Sequence, residues 1–207
     1  LLVLLFISLM DRIFVVNGQK KQGWHKFGSR HMMIDRNHDP LGQSIDLFLD
    51  TYGDAVVKAI RDAKEYRQTE RITAFCEFFG TNSFAGWHDE NDTKEVVLID
   101  VNIHKKGIIP PRNFLKLFGH LRLPDVVYEG IFNVQFIDDV RCGLYPVNEG
   151  VVAKGVLPGK KPPHGLWMSK VKTQSWFDKL KKRSVENPYF ASELRDNERE
   201  QSNKYIG

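Results

Sequence analysis

Two short segments in the last third of the chain carry residue types that could bind and transfer phosphate. Glu149 and Gly150 open a β-branched run, and Lys170 and Lys172 alternate along a second predicted strand. Alternate residues of a strand face the same side, so both ammonium groups would lie on one surface. Like charges held together need an anion, and a nearby carboxylate indicates a metal ion or a hydroxyl beside it. These residues favour a nucleoside triphosphate pocket.

Basic residues are concentrated around these segments. Residues 154–183 contain eight lysines and one arginine against one acid, Asp178, although the net charge of the whole chain is only +4. This distribution permits a polyanionic partner. Cys76 and Cys142 are the two cysteines of the sequence, which excludes a disulfide framework and favours a reducing, cytoplasmic compartment. The apolar residues 1–10 are too few to span a bilayer and are interpreted as a buried strand.

Strands and helices are mixed without a regular strand–helix–strand rhythm, which predicts an α+β fold with largely antiparallel sheets. Hydrophobic spacing predicts one or two helices over 45–67, a helix over 111–121 and a basic helix over 177–183. The predicted strands cover 1–9, 12–17, 72–79, 96–103, 126–132, 151–156 and 166–173, with another starting near Gly28 after a polar turn at 18–23. One domain is expected over 1–183, followed by a polar tail or helix over 184–207.

Five motifs in a fixed order carry a family resemblance. They are Ser29-Arg30, Phe75-Cys76-Glu77-Phe78-Phe79-Gly80, Val97-Leu98-Ile99-Asp100-Val101, Glu149-Gly150-Val151-Val152 and Lys170-Val171-Lys172. The series resembles that of the covalent nucleotidyltransferases, which are the ATP-dependent RNA and DNA ligases and the mRNA capping enzymes. The glutamate-aromatic-aromatic-glycine motif is most similar to the RNA-ligase branch. The resemblance covers about residues 10–183 and implies a ligase adenylation domain, with antiparallel sheets flanked by helices.

The resemblance implies a reaction on nucleic acid ends. In that family a lysine attacks the α-phosphate of ATP, pyrophosphate leaves, and AMP stays bound through a phosphoramidate. AMP then passes to a nucleic acid 5′-phosphate, and a 3′-hydroxyl displaces it to seal the strand. The implied cofactors are therefore ATP and Mg²⁺, and the implied partner is nucleic acid, RNA rather than DNA. A monomer that does not act on membranes is expected.

The resemblance also gives roles to individual residues that would contact the nucleotide. Arg30 would lie near the phosphate or the ribose. Glu77 would accept hydrogen bonds from the ribose hydroxyls, because an ionised carboxylate is an acceptor-only group. Ile99 would lie against the adenine, at a position where the family often has an aromatic residue.

The same resemblance implies the catalytic and metal-binding roles. Lys170 and Lys172 would neutralise the α-phosphate and the departing pyrophosphate, the usual electrostatic task in such transfers. Glu149 would help to hold the divalent metal. Simpler structural explanations compete with these roles, since lysines on an edge strand discourage aggregation and Glu149 could be a loop acid.

One motif of the family has no match. The nucleophile motif Lys-x-Asp-Gly does not occur in the sequence, and residues 1–10, near its expected place, contain no lysine. The expectation is a reading frame that begins just after the nucleophile. Lys26 opens a segment similar to that motif without its aspartate, but the interval from Arg30 to Glu77 already fits the second and third motifs. The alternative function is a non-catalytic module that binds nucleotide or RNA, and a GTP-specific capping enzyme is a third hypothesis.

Two further charged segments have open or structural interpretations. Asp138 and Asp139 could bind a metal, but they are interpreted as a solvated turn. The basic helix over 177–183 could contact a nucleic acid backbone or form a solvated face, and the sequence favours neither.

Overall fold

The computed structural model of this chain describes residues 2–7, 13–19, 23–29, 32–38, 41–79, 94–160, 165–186, 190–192 and 194–195. The strands in these ranges are β1 (Leu2–Ile7), β2 (Ile13–Gln19), β3 (Gly23–Gly28), β4 (Met33–Ile34), β5 (Arg71–Phe79), β6 (Glu95–Ile103), β7 (Gly107–Ile108), β8 (Val126–Ile131), β9 (Gly150–Val156) and β10 (Leu166–Lys172). The helices are α1 (Gln43–Phe48), α2 (Asp54–Asp62), α3 (Pro111–Phe118), α4 (Val134–Arg141) and α5 (Gln174–Glu186), and a π-helical turn, Leu49–Gly53, joins α1 to α2.

Two antiparallel sheets form the framework. The larger sheet has six strands in the order β4-β3-β2-β5-β6-β7, and the smaller has four in the order β10-β9-β1-β8. All strand pairs in the described ranges are antiparallel. The α+β fold with antiparallel sheets and flanking helices, predicted from the sequence, is confirmed.

Helices α1, α2 and α3 cover one face of the six-stranded sheet. The residues that α1, the π turn and α2 bury are Ile45, Phe48, Tyr52, Val56 and Ile60. Residues four apart shift gradually around the surface of an α-helix, which has 3.6 residues per turn. The π turn has more residues per turn and offsets this shift, so that the buried residues stay on one side. The buried Tyr52 hydroxyl lies 2.9 Å from the Val96 carbonyl oxygen and 2.6 Å from that of Arg122. Packing and hydrogen bonding therefore fix β6 against the helices.

A β-bulge in β6 determines which side chains leave the helix-covered core. Phe75 pairs with Asp100 and Cys76 with Leu98, so Ile99 is an extra residue in the ladder. Leu98 and Val101 are both fully buried in the helix-side core. Because a bulge places two consecutive residues opposite one, Ile99 and Asp100 both face the other side of the sheet.

Helix α4 covers one face of the four-stranded sheet. Phe136 and Val140 of α4 pack against Val151 and Ala153 of β9 and Val171 of β10. The helix begins after Asn133, whose side chain accepts a hydrogen bond of 2.8 Å from the Phe136 amide, as an N-cap residue does. The opposite face of β9 and β10 is therefore left to meet other parts of the chain.

Two local predictions are wrong. Asp138 and Asp139, predicted to form a solvated turn, lie inside α4. The residues that α4 buries form one narrow stripe, and both aspartates lie on its polar side. The strand predicted to start near Gly28 begins later, as β4 at Met33, and Gly28 instead ends β3, which begins at Gly23 with a φ of +65° that suits glycine. No helix in the described ranges is long and apolar enough to cross a membrane.

Candidate active site

Three lysines share the face of the four-stranded sheet that α4 leaves uncovered. In the β9–β10 ladder the partners are Lys172 with Gly150, Lys170 with Val152, and Met168 with Lys154. Directly opposite residues of an antiparallel pair point to the same side, so Lys154, Lys170 and Lys172 lie on one face. The predicted common face of Lys170 and Lys172 is confirmed by this register.

Glu149 and Lys172 form a buried ion pair at the start of β9. The Lys172 ammonium donates to Glu149 Oε1, and both side chains are at most 5% exposed. The ammonium also lies 4.3 Å from the centre of the Trp176 ring, at the beginning of α5. A carboxylate and an aromatic face therefore both contact this charge.

Gly150 allows β9 to approach β10 next to this pair. Its φ is +154°, and a Cβ atom here would overlap the Val171 carbonyl oxygen and lie 2.8 Å from Lys172 Cα. Only glycine fits such a backbone at such a contact. The glycine after Glu149 is thus required by the same geometry that brings Glu149 to Lys172.

Glu77 of the six-stranded sheet also interacts with Lys172. It lies in β5 and is 7% exposed, while its neighbours Cys76 and Phe78 face the helix-covered core. Glu77 therefore points away from the helices, and its carboxylate attracts the Lys172 ammonium electrostatically. The helix-free face of the six-stranded sheet and the lysine-bearing face of the four-stranded sheet meet here.

A second buried ion pair joins the two sheets. Lys154 Nζ of β9 donates to Asp100 Oδ2 at 2.8 Å and to the Ile99 carbonyl oxygen at 2.9 Å, both on the bulge of β6. The two side chains are 5% and 12% exposed. Sequence reasoning did not give Lys154 or Asp100 a role, although a lysine inside the apolar run of β9 is a signal, because a buried ammonium needs a partner. We call Glu77, Asp100, Glu149, Lys154, Lys170 and Lys172 the inter-sheet site.

Burial sets the electrostatics of the inter-sheet site. Desolvation lowers the pKa of Lys172, while the Glu149 carboxylate opposes that shift and Lys170 adds to it. Desolvation likewise lowers the pKa of Lys154 and raises that of its partner Asp100, with the mutual attraction opposing both shifts. Charges in such a low-dielectric position interact strongly with any anion that replaces a carboxylate. The arrangement can therefore bind phosphate oxygens between the two sheets.

Comparisons with known proteins identify the fold. No protein-family model and no curated protein matches the chain. Solved structures of a Naegleria gruberi RNA ligase do match: one with PPi at 13% identity, a mutant with ATP and Mn at 11%, and an apo mutant at 12%. Each has a TM-score of 0.60 and covers 86–87% of this chain. The fold is RNA-ligase-like.

The likeness covers only part of each RNA ligase chain. The chain spans about half of their length, at 51–52%. The matched region includes most of the present chain, so the likeness concerns its two antiparallel sheets and the helices that cover them.

The predicted site residues are placed as follows within this RNA-ligase-like fold. Glu77, Glu149, Lys170 and Lys172 converge at the inter-sheet site, as the electrostatic and ion-pair contacts of Lys172 show. Ile99 lies on the same helix-free face, and Lys154 holds its carbonyl. Arg30 lies outside the described residues.

A separate groove lies on the helix side of the six-stranded sheet. It has a volume of about 210 Å³ and runs between the β2–β3 hairpin and α2, where it is lined by Trp24, Arg61 and Arg67 together with Asp54 and Glu70. Opposite charges are mixed in it, and none of the sequence motifs contributes to it. The inter-sheet site is therefore the better candidate for chemistry.

Proposed function

We propose that this chain is the nucleotide-binding part of an RNA-ligase-like nucleotidyltransferase, which binds ATP with Mg²⁺ and joins nucleic acid 5′-phosphate and 3′-hydroxyl ends through an adenylated intermediate. The observation that carries the proposal is the convergence of Lys170, Lys172, Glu149 and Glu77 from two sheets. These residues belong to three separate sequence motifs, and the RNA-ligase-like fold supports their common use.

Lys170 and Lys172 are assigned to the phosphates. Lys170 is half-buried at the edge strand β10, while Lys172 is held in the interior by Glu149. An entering phosphate would replace Glu149 as the partner of the Lys172 ammonium. Two ammonium groups on one face would then stabilise negative charge that moves from the α-phosphate to the leaving pyrophosphate.

Glu149 is assigned to magnesium, and the donor set fits this ion. Mg²⁺ in nucleotide sites is commonly bound through one or two carboxylates and substrate phosphates, with waters completing the octahedron. Glu149 is such a carboxylate, and Glu77 lies nearby, while the described residues hold no cluster of three metal-ligating side chains. A bound Mg²⁺ would neutralise phosphate oxygens, and the nucleotide would supply most of its ligands.

The nucleoside part of ATP is assigned to the helix-free face of the six-stranded sheet. Glu77 would accept hydrogen bonds from the ribose hydroxyls, and the Ile99 side chain would pack against the adenine. Arg30 is proposed to contact the phosphate or the ribose. An aliphatic side chain offers no π-stacking, so we expect weaker binding of the adenine than an aromatic side chain would give.

The proposed chemistry begins with attack of a lysine Nζ on the α-phosphorus. A P–N bond forms, the bond to the pyrophosphate oxygen breaks, and the nitrogen loses a proton. A nucleic acid 5′-phosphate oxygen then takes the AMP and breaks the P–N bond. Finally a 3′-hydroxyl attacks the 5′-phosphorus, and AMP leaves. Within this scheme Lys170 and Lys172 hold the phosphates but are not the nucleophile.

Nucleotide binding tests the proposal. Lys170→Ala combined with Lys172→Ala should abolish ATP binding in calorimetry, because both phosphate partners are lost. A matched control is Lys58→Ala combined with Lys64→Ala, which removes two exposed lysines from the helix side. Unchanged ATP affinity in the first variant would contradict the proposal.

A second candidate function is a module that binds nucleotide or RNA without self-adenylation. The observation that favours it is the absence of a Lys-x-Asp-Gly segment from the 207 residues. Intact mass spectrometry after incubation with ATP and Mg²⁺ separates the two functions. A covalent AMP adduct supports the transferase, and peptide mapping would locate the lysine, with Lys26 as one candidate. ATP binding without an adduct supports the module.

A further inference from the structure

Trp176 contacts Lys172 of the inter-sheet site, and none of the sequence motifs contains it. It lies four residues after Lys172, near the beginning of α5, and is fully buried. The centre of its ring is 4.3 Å from Lys172 Nζ. An ammonium this close to an indole is attracted by the ring quadrupole, and more strongly when both are removed from water.

Thr173 fixes the position of Trp176 relative to Glu149. The Trp176 amide donates to Thr173 Oγ1 at 3.2 Å, and that hydroxyl is within 3.0 Å of the Asn148 carbonyl oxygen. The Thr173 amide donates to the Glu149 carbonyl oxygen at 2.9 Å. The backbones of Trp176 and Glu149 are therefore anchored to one residue, and their side chains both contact Lys172.

Other residues of α5 pack against the Trp176 indole. The Phe177 ring packs edge-on against it at 5.2 Å between centroids, and Leu180 belongs to the same buried cluster. A buried aromatic side chain in such packing has little rotational freedom. The face presented to Lys172 is thus pre-organised.

We propose that Trp176 is a positioning residue for Lys172, which confines the ammonium and holds it in place when a phosphate replaces Glu149 as its partner. This inference rests on the proposed function for the phosphate and on the observed contact for the ammonium. Trp176 would touch neither the nucleotide nor the reacting atoms and would act through Lys172.

The charges around Lys172 explain why such a residue is useful. Lys170 on the same face repels the Lys172 ammonium, while Glu149 and Glu77 attract it. Glu149 is also the proposed metal ligand, so it would leave Lys172 when the metal and phosphate bind. The indole is an uncharged partner that no metal ion removes.

The contact can be tested without any nucleotide. In NMR spectra of lysine-labelled protein, the Lys172 side-chain resonance, assigned by its loss in Lys172→Arg, should show an upfield ring-current shift. Trp176→Leu should abolish that shift, and Trp176→Phe should retain part of it. Trp167→Leu is the matched control, because Trp167 lies on the same strand and packs against Phe132 at 5.2 Å, in the cluster on the other face of the sheet.

The functional consequence can be tested with inorganic tripolyphosphate as the probe. Trp176→Leu should weaken its binding about tenfold, and Trp176→Phe should weaken it less, because a smaller quadrupole still attracts the ammonium. Trp167→Leu should leave this affinity unchanged, even where it lowers the free energy of unfolding.

Two results would overturn the inference. One is a Lys172 resonance that is the same in the wild type and in Trp176→Leu. The other is a tripolyphosphate affinity that Trp176→Leu leaves unchanged. A wild-type protein that binds no tripolyphosphate would instead contradict the proposed function, and the ring-current shift would then decide the Trp176 contact by itself.

Discussion

At the residue scale, the inter-sheet site holds its charges in pairs that are mostly removed from water. Lys172 with Glu149 and Lys154 with Asp100 are each at most 12% exposed. A buried ion pair need not stabilise a protein relative to apolar residues, but loss of one partner leaves an uncompensated charge. In either pair, a single substitution should therefore lower the free energy of unfolding more than replacement of both partners by apolar residues does.

Lys154→Met should lower the free energy of unfolding by about 3–5 kcal/mol, because it leaves Asp100 buried and unpaired. Adding Asp100→Leu should recover most of this loss, since apolar side chains of similar volume then fill the contact. Urea unfolding gives the free energy of unfolding of the wild type, the single variant and the double variant. A single variant as stable as the wild type, or a double variant less stable than the single one, would contradict a buried ion pair between Lys154 and Asp100.

The pH dependence of phosphate binding should report Lys172. Binding needs the charged ammonium, and burial lowers its pKa from 10.5. The affinity for phosphate should thus be highest below the lowered pKa of Lys172 and should be lost as the pH rises through it. The loss should therefore begin below pH 10.5. Lys172→Arg is the control, because its guanidinium stays charged and should carry binding to higher pH. Identical profiles for both proteins would argue against a role for Lys172.

Stability should change with pH in the opposite direction. Between the lowered pKa of Lys172 and 10.5, the unfolded chain keeps a proton that the folded chain has released. The free energy of unfolding contributed by this group therefore rises with pH across that window. Lys172→Met should remove this rise in denaturation experiments at a series of alkaline pH values.

At the element scale, two devices of the sheets create the site. The bulge in β6 turns Ile99 and Asp100 to the same side, and the close approach of β9 to β10 at Gly150 brings Glu149 to Lys172. Both are local departures from a regular ladder, of the kind that sheets use beside functional sites.

Gly150→Ala should destabilise the protein more than Gly159→Ala does. Both glycines have positive φ, at +154° and +72°, but an added Cβ meets β10 backbone atoms only at Gly150 and meets nothing within 4 Å at Gly159. The Gly159 variant should lose about 1 kcal/mol through backbone strain, and the Gly150 variant should lose clearly more and should also lose tripolyphosphate binding. Thermal unfolding and calorimetry provide the comparison. Equal losses in the two variants would show that the close approach is not required.

Sequence patterns could predict some of these elements and not others. The period-two alternation of Lys170 and Lys172 is sufficient to place both on one face, because a strand allows no other arrangement. The Lys154–Asp100 pair depends on which faces of two sheets meet across 54 residues of chain, and no local pattern contains that information. Helix α4 escaped prediction because Val134, at its start, is 70% exposed, which blurs its apolar stripe. β3 escaped because glycines bound it and its burial does not alternate.

At the scale of the whole molecule, the site lies between two sheets and α5 extends from it. Trp176 faces Lys172 on one side of α5, while Lys179, Lys181 and Lys182 of the same helix are exposed. Exposed lysines beside the proposed phosphate site could guide a polyanion toward it.

If α5 binds RNA, replacing Lys179, Lys181 and Lys182 by Gln should weaken binding to single-stranded RNA without regard to sequence. Each lost phosphate contact should reduce the slope of log affinity against log salt by about 0.7. The control replaces Lys58 of α2, Lys64 in the turn after α2 and Lys116 of α3, which are exposed on the helix-covered side of the six-stranded sheet. Equal slopes in the two variants would indicate that α5 is a solvated face.

We propose that the inter-sheet site binds a nucleoside triphosphate through Lys170 and Lys172. Calorimetric titration with ATP and Mg²⁺ should be carried out on the wild type and on Lys170→Ala plus Lys172→Ala. We expect saturable binding by the wild type and none by the double variant, with the fold of both unchanged by circular dichroism. Equal binding by the two proteins, or no binding by a folded wild type, would contradict it.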